Sequence, residues 1–233
     1  MKLDKLNQEI IACRKCPRLV EWREQVAREK RRAFRDWEYW GKPVPGFGDP
    51  EARVLVVGLA PGAHGSNRTG RPFTGDASGG FLYPALYRAG FANQPDALRR
   101  DDGLKLKDIY ITAVGRCAPP ANKPTPAELD NCEPFLVREI EWFKPRVIVC
   151  LGRVAFDRIL RMFSVRDARM KFAHGALYAL RPGKAQGNEW LLKGEHWLLC
   201  SYHPSRQNTQ TGKLTTKMFD AIWDTARELT THA

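Results

Sequence analysis

The chain has 233 residues, 43% of them hydrophobic, and a formal charge of +12 from 38 lysine and arginine against 26 aspartate and glutamate residues. This length suits one well-packed core, so we expect a single domain over residues 1–233. The positive charge favours polyanionic partners. The apolar runs are far shorter than the ~20 residues that span a bilayer, and the N-terminus has no signal-peptide core. These features exclude a membrane-spanning protein and predict a cytoplasmic one.

The first part of the chain is predicted to be helical. Leucine and isoleucine recur at helical spacing over residues 3–12, and a basic helical segment follows over 23–35. The charges of the second segment are typical either of a solvated helix face or of a contact to a nucleic-acid backbone. A connector rich in proline and glycine then extends over 41–50.

The rest of the chain alternates between strand and helix patterns. Continuous apolar runs predict buried parallel strands at 54–58, 109–113, 147–151 and 197–201. Helical patterns cover 80–89, 126–143, 153–163 and 215–229, and Thr125 with Pro126 is typical of a helix start. Residues 172–180 and 189–192 are expected to form a small hairpin. The fold class predicted is α/β, a three-layer α/β/α sandwich around a mainly parallel four-stranded sheet.

Six cysteines fall into two groups. Cys150 and Cys200 end apolar strand runs and are expected to be buried as small hydrophobic residues. The remaining four are Cys13 and Cys16, in a C-x-x-C pair, with Cys117 and Cys132. A cytoplasmic protein is not expected to form structural disulfides. Four thiolates can hold zinc or an iron–sulfur cluster, and their spacing alone does not choose between these or four unrelated thiols.

Two polar loops follow predicted strands. The first has glycine at 58, 62 and 65, which matches neither the dinucleotide fingerprint nor the phosphate-binding P-loop. Asp76 is the nearest carboxylate in it, and either Asp76 or Ser78 could instead cap the next helix. The second loop is Ser201-Tyr202-His203-Pro204-Ser205. Because loops at the carboxyl ends of parallel strands carry ligands in α/β proteins, the two are expected to face one crevice.

These loops resemble the two signature loops of the uracil-DNA glycosylase superfamily. The segments GLAPGAHG at 58–65, NRTGR at 67–71 and HPS at 203–205 are similar to those of its iron–sulfur type, called family 5 or type b. The resemblance extends from Cys13 to Lys213. It implies a monofunctional DNA glycosylase that flips a deaminated base out of DNA, removes it by hydrolysis and leaves an abasic site.

Two positions depart from the related type a. Type a has an acidic residue where this chain has Leu59, and an asparagine that reads the base where this chain has Ala113. Losing such hydrogen bonds relaxes specificity. The resemblance therefore implies removal of uracil and also of hypoxanthine, xanthine and modified uracils.

The resemblance also implies roles for individual residues. His203 would donate an N–H to the departing base, whose negative charge grows in the transition state. Asp76 is nominated to activate water. The predicted substrate-binding residues are Gly58, Ala60, Gly62, Ala63, His64, Phe73, which would stack on the base, and Asn122. The predicted DNA-binding residues are Arg71, Ser205, Arg206, Gln207 and Lys213.

A cofactor and a partner follow from the same resemblance. Cys13, Cys16, Cys117 and Cys132 would hold a structural 4Fe-4S cluster that ties the N-terminal segment 1–50 to the core. The expected partner is double-stranded DNA containing deaminated bases, with single-stranded DNA as a second candidate, bound by a monomer at the prokaryotic nucleoid. Two alternatives stay open: a non-catalytic iron–sulfur module that binds nucleic acid, and a zinc-dependent basic protein.

Overall fold

The computed structural model describes residues 2–165, 167–181 and 195–231 of the chain. Its sheet consists of β1 (Phe47–Gly48), β2 (Val54–Gly58), β3 (Ile109–Ala113), β4 (Val147–Leu151), β5 (Leu177–Leu180) and β6 (His196–Ser201). The spatial order is β1-β3-β2-β4-β6-β5. The four middle strands are parallel and match the four apolar runs. The fold is therefore α/β, as predicted.

The sheet is wider than the sequence predicts. In the described residues it has six strands rather than four, because β1 and β5 pair antiparallel at its two edges. β1 has two residues, too few to show a periodic pattern. β5 falls in the predicted hairpin, but its partner is β6, with Leu177 opposite Leu199. The predicted second arm, 189–192, lies outside the described residues.

Helices cover both faces of the sheet. They are α1 (Lys2–Ala12), α2 (Pro17–Glu29), α3 (Ser66–Thr69), α4 (Gly79–Arg88), α5 (Pro126–Phe143), α6 (Arg153–Met162), α7 (Arg206–Gln210) and α8 (Thr216–Thr231). Alternate residues of a strand point to opposite faces. Leu55 accordingly joins a core with side chains of α1, α5 and α6, while Val54 joins a second core with α4 and α8. No helix in the described part of the chain has the length and apolarity to span a membrane.

The two polar loops follow two parallel strands of the sheet. The carboxyl end of β2 leads into the first loop and that of β6 into the second. Helix α5 starts as predicted, with Thr125 and Glu128 in a reciprocal capping box. Helix α2, in contrast, ends at Glu29 instead of continuing to 35, because Lys30 has a left-handed φ of 56°.

Candidate active site and cysteine recess

Phe73 joins the first loop to the second. Its ring centroid lies 5.8 Å from that of His203, with 34° between the ring planes. On its other side is Gly58, where an added Cβ would lie 2.9 Å from the Phe73 Cζ atom. Phe73 has a φ of 50°, and its N–H donates to Ser66 Oγ at 3.0 Å. The absence of a side chain at Gly58 therefore allows the two loops to meet at this ring.

Asp76 places its two carboxylate oxygens in different surroundings. Oδ1 accepts a hydrogen bond from the Gly79 N–H at 2.9 Å, which caps α4. Oδ2 lies against the backbone of the first loop, because an added Cβ at Gly65 would be 2.0 Å from it and one at Gly62 3.3 Å. Burial raises the pKa of Asp76 above its usual value, against the opposing effect of nearby N–H groups and Arg68. One residue thus serves as a helix cap and as a pocket carboxylate.

His203 is held as a neutral imidazole. Burial lowers its pKa from 6.5 to about 4. Its main-chain oxygen accepts from Asn208 Nδ2 at 2.8 Å, and Gly152 leaves room beside its Cβ. Within the described residues, no hydrogen bond reaches the His203 ring. The ring can therefore donate an N–H to a ligand at neutral pH, but it is a poor source of a proton.

His174 supports the chain next to His203. Its Nδ1 accepts the Tyr202 N–H at 3.2 Å, and its Nε2 lies 3.2 Å from the Met218 carbonyl oxygen in α8. These partners fit the neutral tautomer with hydrogen on Nε2, and burial lowers the pKa of His174. His174 thus links the end of β6 to α8. His174 belongs to none of the sequence motifs, so this role was not predicted.

Arg68 stabilises the first loop through hydrogen bonds to its main chain. It is 3% exposed, and its guanidinium donates to the carbonyl oxygens of His64 and Gly75, both at 2.8 Å. His64 is itself fixed by a 3.0 Å hydrogen bond between Nδ1 and the Tyr39 hydroxyl. One buried side chain therefore spans the loop from its middle to its end. From the sequence, Arg68 was recognised only as part of the segment 67–71, and its supporting role was not predicted.

The four remaining cysteines line one recess, here called the cysteine recess: Cys13, Cys16, Cys117 and Cys132. They come from the turn between α1 and α2, the start of α2, the segment after β3, and α5. Arg23 donates to Cys117 Sγ at 3.1 Å and Asn131 to Cys16 Sγ at 3.4 Å. Burial raises the pKa of the Cys117 thiol to about 12, so a thiolate there requires a strong positive partner.

The four cysteines share the cysteine recess with Arg116 and Asn131. Across residues 2–165, 167–181 and 195–231, no group of three or more histidine, cysteine or carboxylate side chains is arranged to hold one metal ion. A zinc ion needs four ligands at about 2.3 Å for sulfur. Cys150 and Cys200 lie elsewhere, fully buried in β4 and β6, as predicted.

Comparison with known proteins shows which family this chain belongs to. A sequence profile described as the uracil DNA glycosylase superfamily matches residues 45–227. A type-5 uracil-DNA glycosylase of Thermus thermophilus is 55% identical over 223 residues, which is 95% of each chain. The chain belongs to the uracil-DNA glycosylase superfamily. The resemblance noted from its sequence is confirmed.

More distant superfamily members match most of the chain as well. A type-5 uracil-DNA glycosylase of Pyrobaculum aerophilum is 43% identical over 91% of this chain and 86% of its own. A type-4 uracil-DNA glycosylase of Archaeoglobus fulgidus is 33% identical over 87% of this chain and 81% of its own. These two matches cover a larger share of the chain than residues 45–227, which the superfamily profile matches.

The structure brings together most of the substrate-binding residues predicted for this chain. Gly58, Gly62, Phe73 and the two nominated catalytic residues, Asp76 and His203, lie in the two facing loops. Ala60, Ala63 and His64 are half-buried in the first loop. Asn122 is exposed at the end of a 3-10 helix, Pro120–Asn122, and its contact with the base stays a prediction.

The predicted DNA contact by Arg71 does not fit its position. Arg71 is 3% exposed and donates to both carboxylate oxygens of Asp102, at 2.8 and 2.7 Å. Its Nε donates to Thr74 Oγ1 at 2.8 Å. The guanidinium is occupied inside the protein, so we assign Arg71 to the support of the first loop instead. This partner is thirty-one residues away along the chain, which no local pattern indicates.

The other predicted DNA-binding residues lie around α7. Ser205 caps this helix, because its Oγ accepts from the Asn208 N–H at 3.4 Å. Arg206 and Gln207 are exposed in the first turn, and the Lys213 ammonium lies 4.9 Å from the centroid of the Tyr202 ring. Their contact with DNA stays a prediction.

The packing of Gly65 against Asp76 is testable by substitution. Gly65→Ala would place a Cβ 2.0 Å from Oδ2 and force the carboxylate or the loop to move. We expect a loss of about 1–3 kcal/mol in the free energy of unfolding, measured in urea, as for other overpacked sites. The control is Gly80→Ala in α4, where an added Cβ meets nothing within 4 Å. If both variants have the wild-type free energy of unfolding, the close packing of Gly65 against Asp76 is contradicted.

Proposed function

We propose that this chain is a monofunctional uracil-DNA glycosylase, which hydrolyses the bond between a deaminated base and its deoxyribose and leaves an abasic site in DNA. The observation that carries the proposal is the meeting of the two loops at Phe73, which brings His203 of the second loop next to the first loop, where Asp76 lies. The names and high identity of the type-5 relatives support it.

His203 acts on the departing base. As the glycosidic bond breaks, the electrons of the bond move onto the base, and the sugar gains positive charge. An N–H donated by His203 stabilises the negative charge as it grows, more in the transition state than in the bound substrate. A pKa of about 4 keeps His203 a neutral donor, so the base leaves as an anion. Phe73 provides an aromatic face for the flipped base.

Asp76 acts on the water. Its Oδ2 faces the first loop, and its raised pKa makes it a stronger base than an exposed aspartate. In its ionised form it takes a proton from the water that attacks C1′, and its negative charge stabilises the positive sugar. Its Oδ1 remains on the Gly79 N–H, which fixes the carboxylate during the reaction.

The pocket is expected to accept several deaminated bases. Leu59 and Ala113, at the ends of adjacent strands, offer no side-chain hydrogen bond to a base. Discrimination depends on buried polar groups that a wrong base leaves unpaired. We therefore propose hypoxanthine and xanthine as substrates beside uracil, in double-stranded and single-stranded DNA, for an enzyme that acts as a monomer at the cytoplasmic nucleoid.

The cysteine recess fits a 4Fe-4S cluster. Four cysteine thiolates can hold such a cluster, and the N–H groups that Arg23 and Asn131 donate to sulfur suit anionic ligands. Arg116 also lines the recess, where it pairs with the buried carboxylate of Glu139. Bound there, the cluster would supply a structural cross-link. It would join residues 1–50 to α5 and the segment after β3 within a single domain.

Arg23 connects the cysteine recess to the first loop. Its side chain is 1% exposed and contacts Cys117, while its main-chain oxygen accepts from Asn67 Nδ2 at 3.2 Å. The Asn67 N–H in turn donates to the Gly62 carbonyl oxygen at 3.0 Å. Gly62 lies against Asp76. We therefore expect loss of the cluster to disturb the pocket through α2 and the first loop.

Base release tests the function and the role of His203 together. Wild-type protein should release free base from duplexes containing uracil, hypoxanthine or xanthine, leave an intact abasic strand, and spare undamaged DNA. His203→Ala should lower single-turnover release by about 10²–10³-fold, as for one lost transition-state donor, with little change in DNA binding. Equal losses of binding and release would contradict the role. A wild-type protein that binds DNA and releases nothing would favour the non-catalytic module.

Two substitutions of Asp76 separate its roles. Asp76→Asn keeps an oxygen for the Gly79 N–H but loses the base, and should lower release by about 10²–10⁴-fold at unchanged stability. Asp76→Ala also loses the helix cap, so its free energy of unfolding should be about 1 kcal/mol lower than that of the wild type. Release by Asp76→Asn at the wild-type rate would leave Asp76 as a helix cap alone.

Metal analysis tests the cluster. Wild-type protein purified without air should be brown and contain about four iron and four sulfide per chain. Cys16→Ala should lose most of the iron, whereas Cys200→Ala, in the buried end of β6, should retain it. Zinc in place of iron, or equal iron in the two variants, would overturn the assignment.

A further inference from the structure

The outer side of the first loop carries aromatic rings stacked with guanidinium groups. The Arg68 guanidinium lies 4.0 Å from the ring centroids of both Phe34 and Trp37. Further out, Arg99 lies 4.5 Å from the Trp37 ring and Arg100 lies 4.3 Å from the Trp40 ring. We call these residues the aromatic–arginine surface: Phe34, Trp37, Trp40, Arg68, Arg99 and Arg100.

Two arginines of this surface have no carboxylate partner in the described residues. Arg99 and Arg100 are exposed, and in the described part of the chain neither forms an ion pair or a hydrogen bond through its side chain. Arg68 Nη1 is buried with no hydrogen-bond partner there. Elsewhere, exposed arginines such as Arg53 and Arg88 pair with a carboxylate at 2.6 Å. Arg99 and Arg100 therefore lack the carboxylate partner that Arg53 and Arg88 have.

The aromatic–arginine surface is continuous with the pocket. Arg68 holds the carbonyl oxygens of His64 and Gly75 in the first loop. Residues 28–42, which include Phe34 and Trp37, carry six lysine or arginine against three acidic residues. Within them, Arg31 is close enough to His64 to contribute to lowering its pKa. Basic side chains thus extend from the surface to the pocket entrance.

We propose that the aromatic–arginine surface binds phosphate groups of the DNA strand beside the base that occupies the pocket, an inference that rests on the proposed function. A guanidinium stacked on an indole keeps its N–H edge free, and its planar fork matches phosphate oxygens. Stacking also orders the side chain before binding. Because guanidiniums already cover the Trp37 and Trp40 rings, the surface favours phosphates over stacked bases. Such contacts position DNA without reading its sequence.

The salt dependence of binding tests the proposal. Each phosphate contact contributes about 0.9 to the slope of log K against log salt concentration. Arg99→Gln with Arg100→Gln should therefore reduce the slope by about 2 and weaken binding equally for undamaged and uracil-containing duplexes. The rate of uracil release at saturating DNA should stay at the wild-type value. Arg99→Lys with Arg100→Lys keeps both charges and should retain most of the slope.

A matched control removes two charges at the other end of the sheet. Lys107 and Lys144 are exposed before β3 and β4, so Lys107→Gln with Lys144→Gln should leave the slope unchanged. An unchanged slope in the arginine variant, or an equal decrease in the control, would overturn the inference. Should the double arginine variant not fold, Arg99→Gln alone should reduce the slope by about 0.9. Wild-type protein that binds DNA without releasing uracil would refute the function but not this surface.

Discussion

The pocket depends on the contact between the Phe73 ring and Gly58. A parallel sheet brings the loops after β2 and β6 to one edge, but it does not bring them into contact. A side chain at position 58 would occupy the space of the Phe73 ring, since even a Cβ would lie 2.9 Å from it. With glycine there, the ring reaches His203. The same loop packs against Asp76 at Gly65 and Gly62, so the positions of both nominated catalytic groups depend on glycines of the first loop.

Burial acts on the pKa values of the two nominated catalytic groups in opposite directions. It raises the pKa of Asp76 and lowers that of His203, because the charged form of each loses hydration. Asp76 has N–H groups on Oδ1 that favour its anion, whereas burial alone acts on His203. The carboxylate is therefore a usable base, and the imidazole is a neutral donor. A departing anion and an attacking water need these two properties.

The sequence predicts what repeats locally or matches a motif. Apolar runs locate the four parallel strands, and the spacing around Thr125 locates the start of α5. The two motifs identify the residues of the pocket. The sequence does not predict contacts made by distant residues. Arg71 was expected on DNA but pairs with Asp102, His174 supports the chain before His203 without any motif, and α2 ends early at Glu29, where Lys30 has a positive φ.

The pH dependence of single-turnover uracil release tests this account most directly. If Asp76 is the base and His203 a neutral donor, the rate should fall on acidification through one pKa above 3.8, the usual value for aspartate. That decrease should persist in His203→Gln and disappear in Asp76→Asn. A decrease centred near 6.5, the usual pKa of histidine, that disappears in His203→Gln would contradict the account, because His203 would then act in its charged form or as a base.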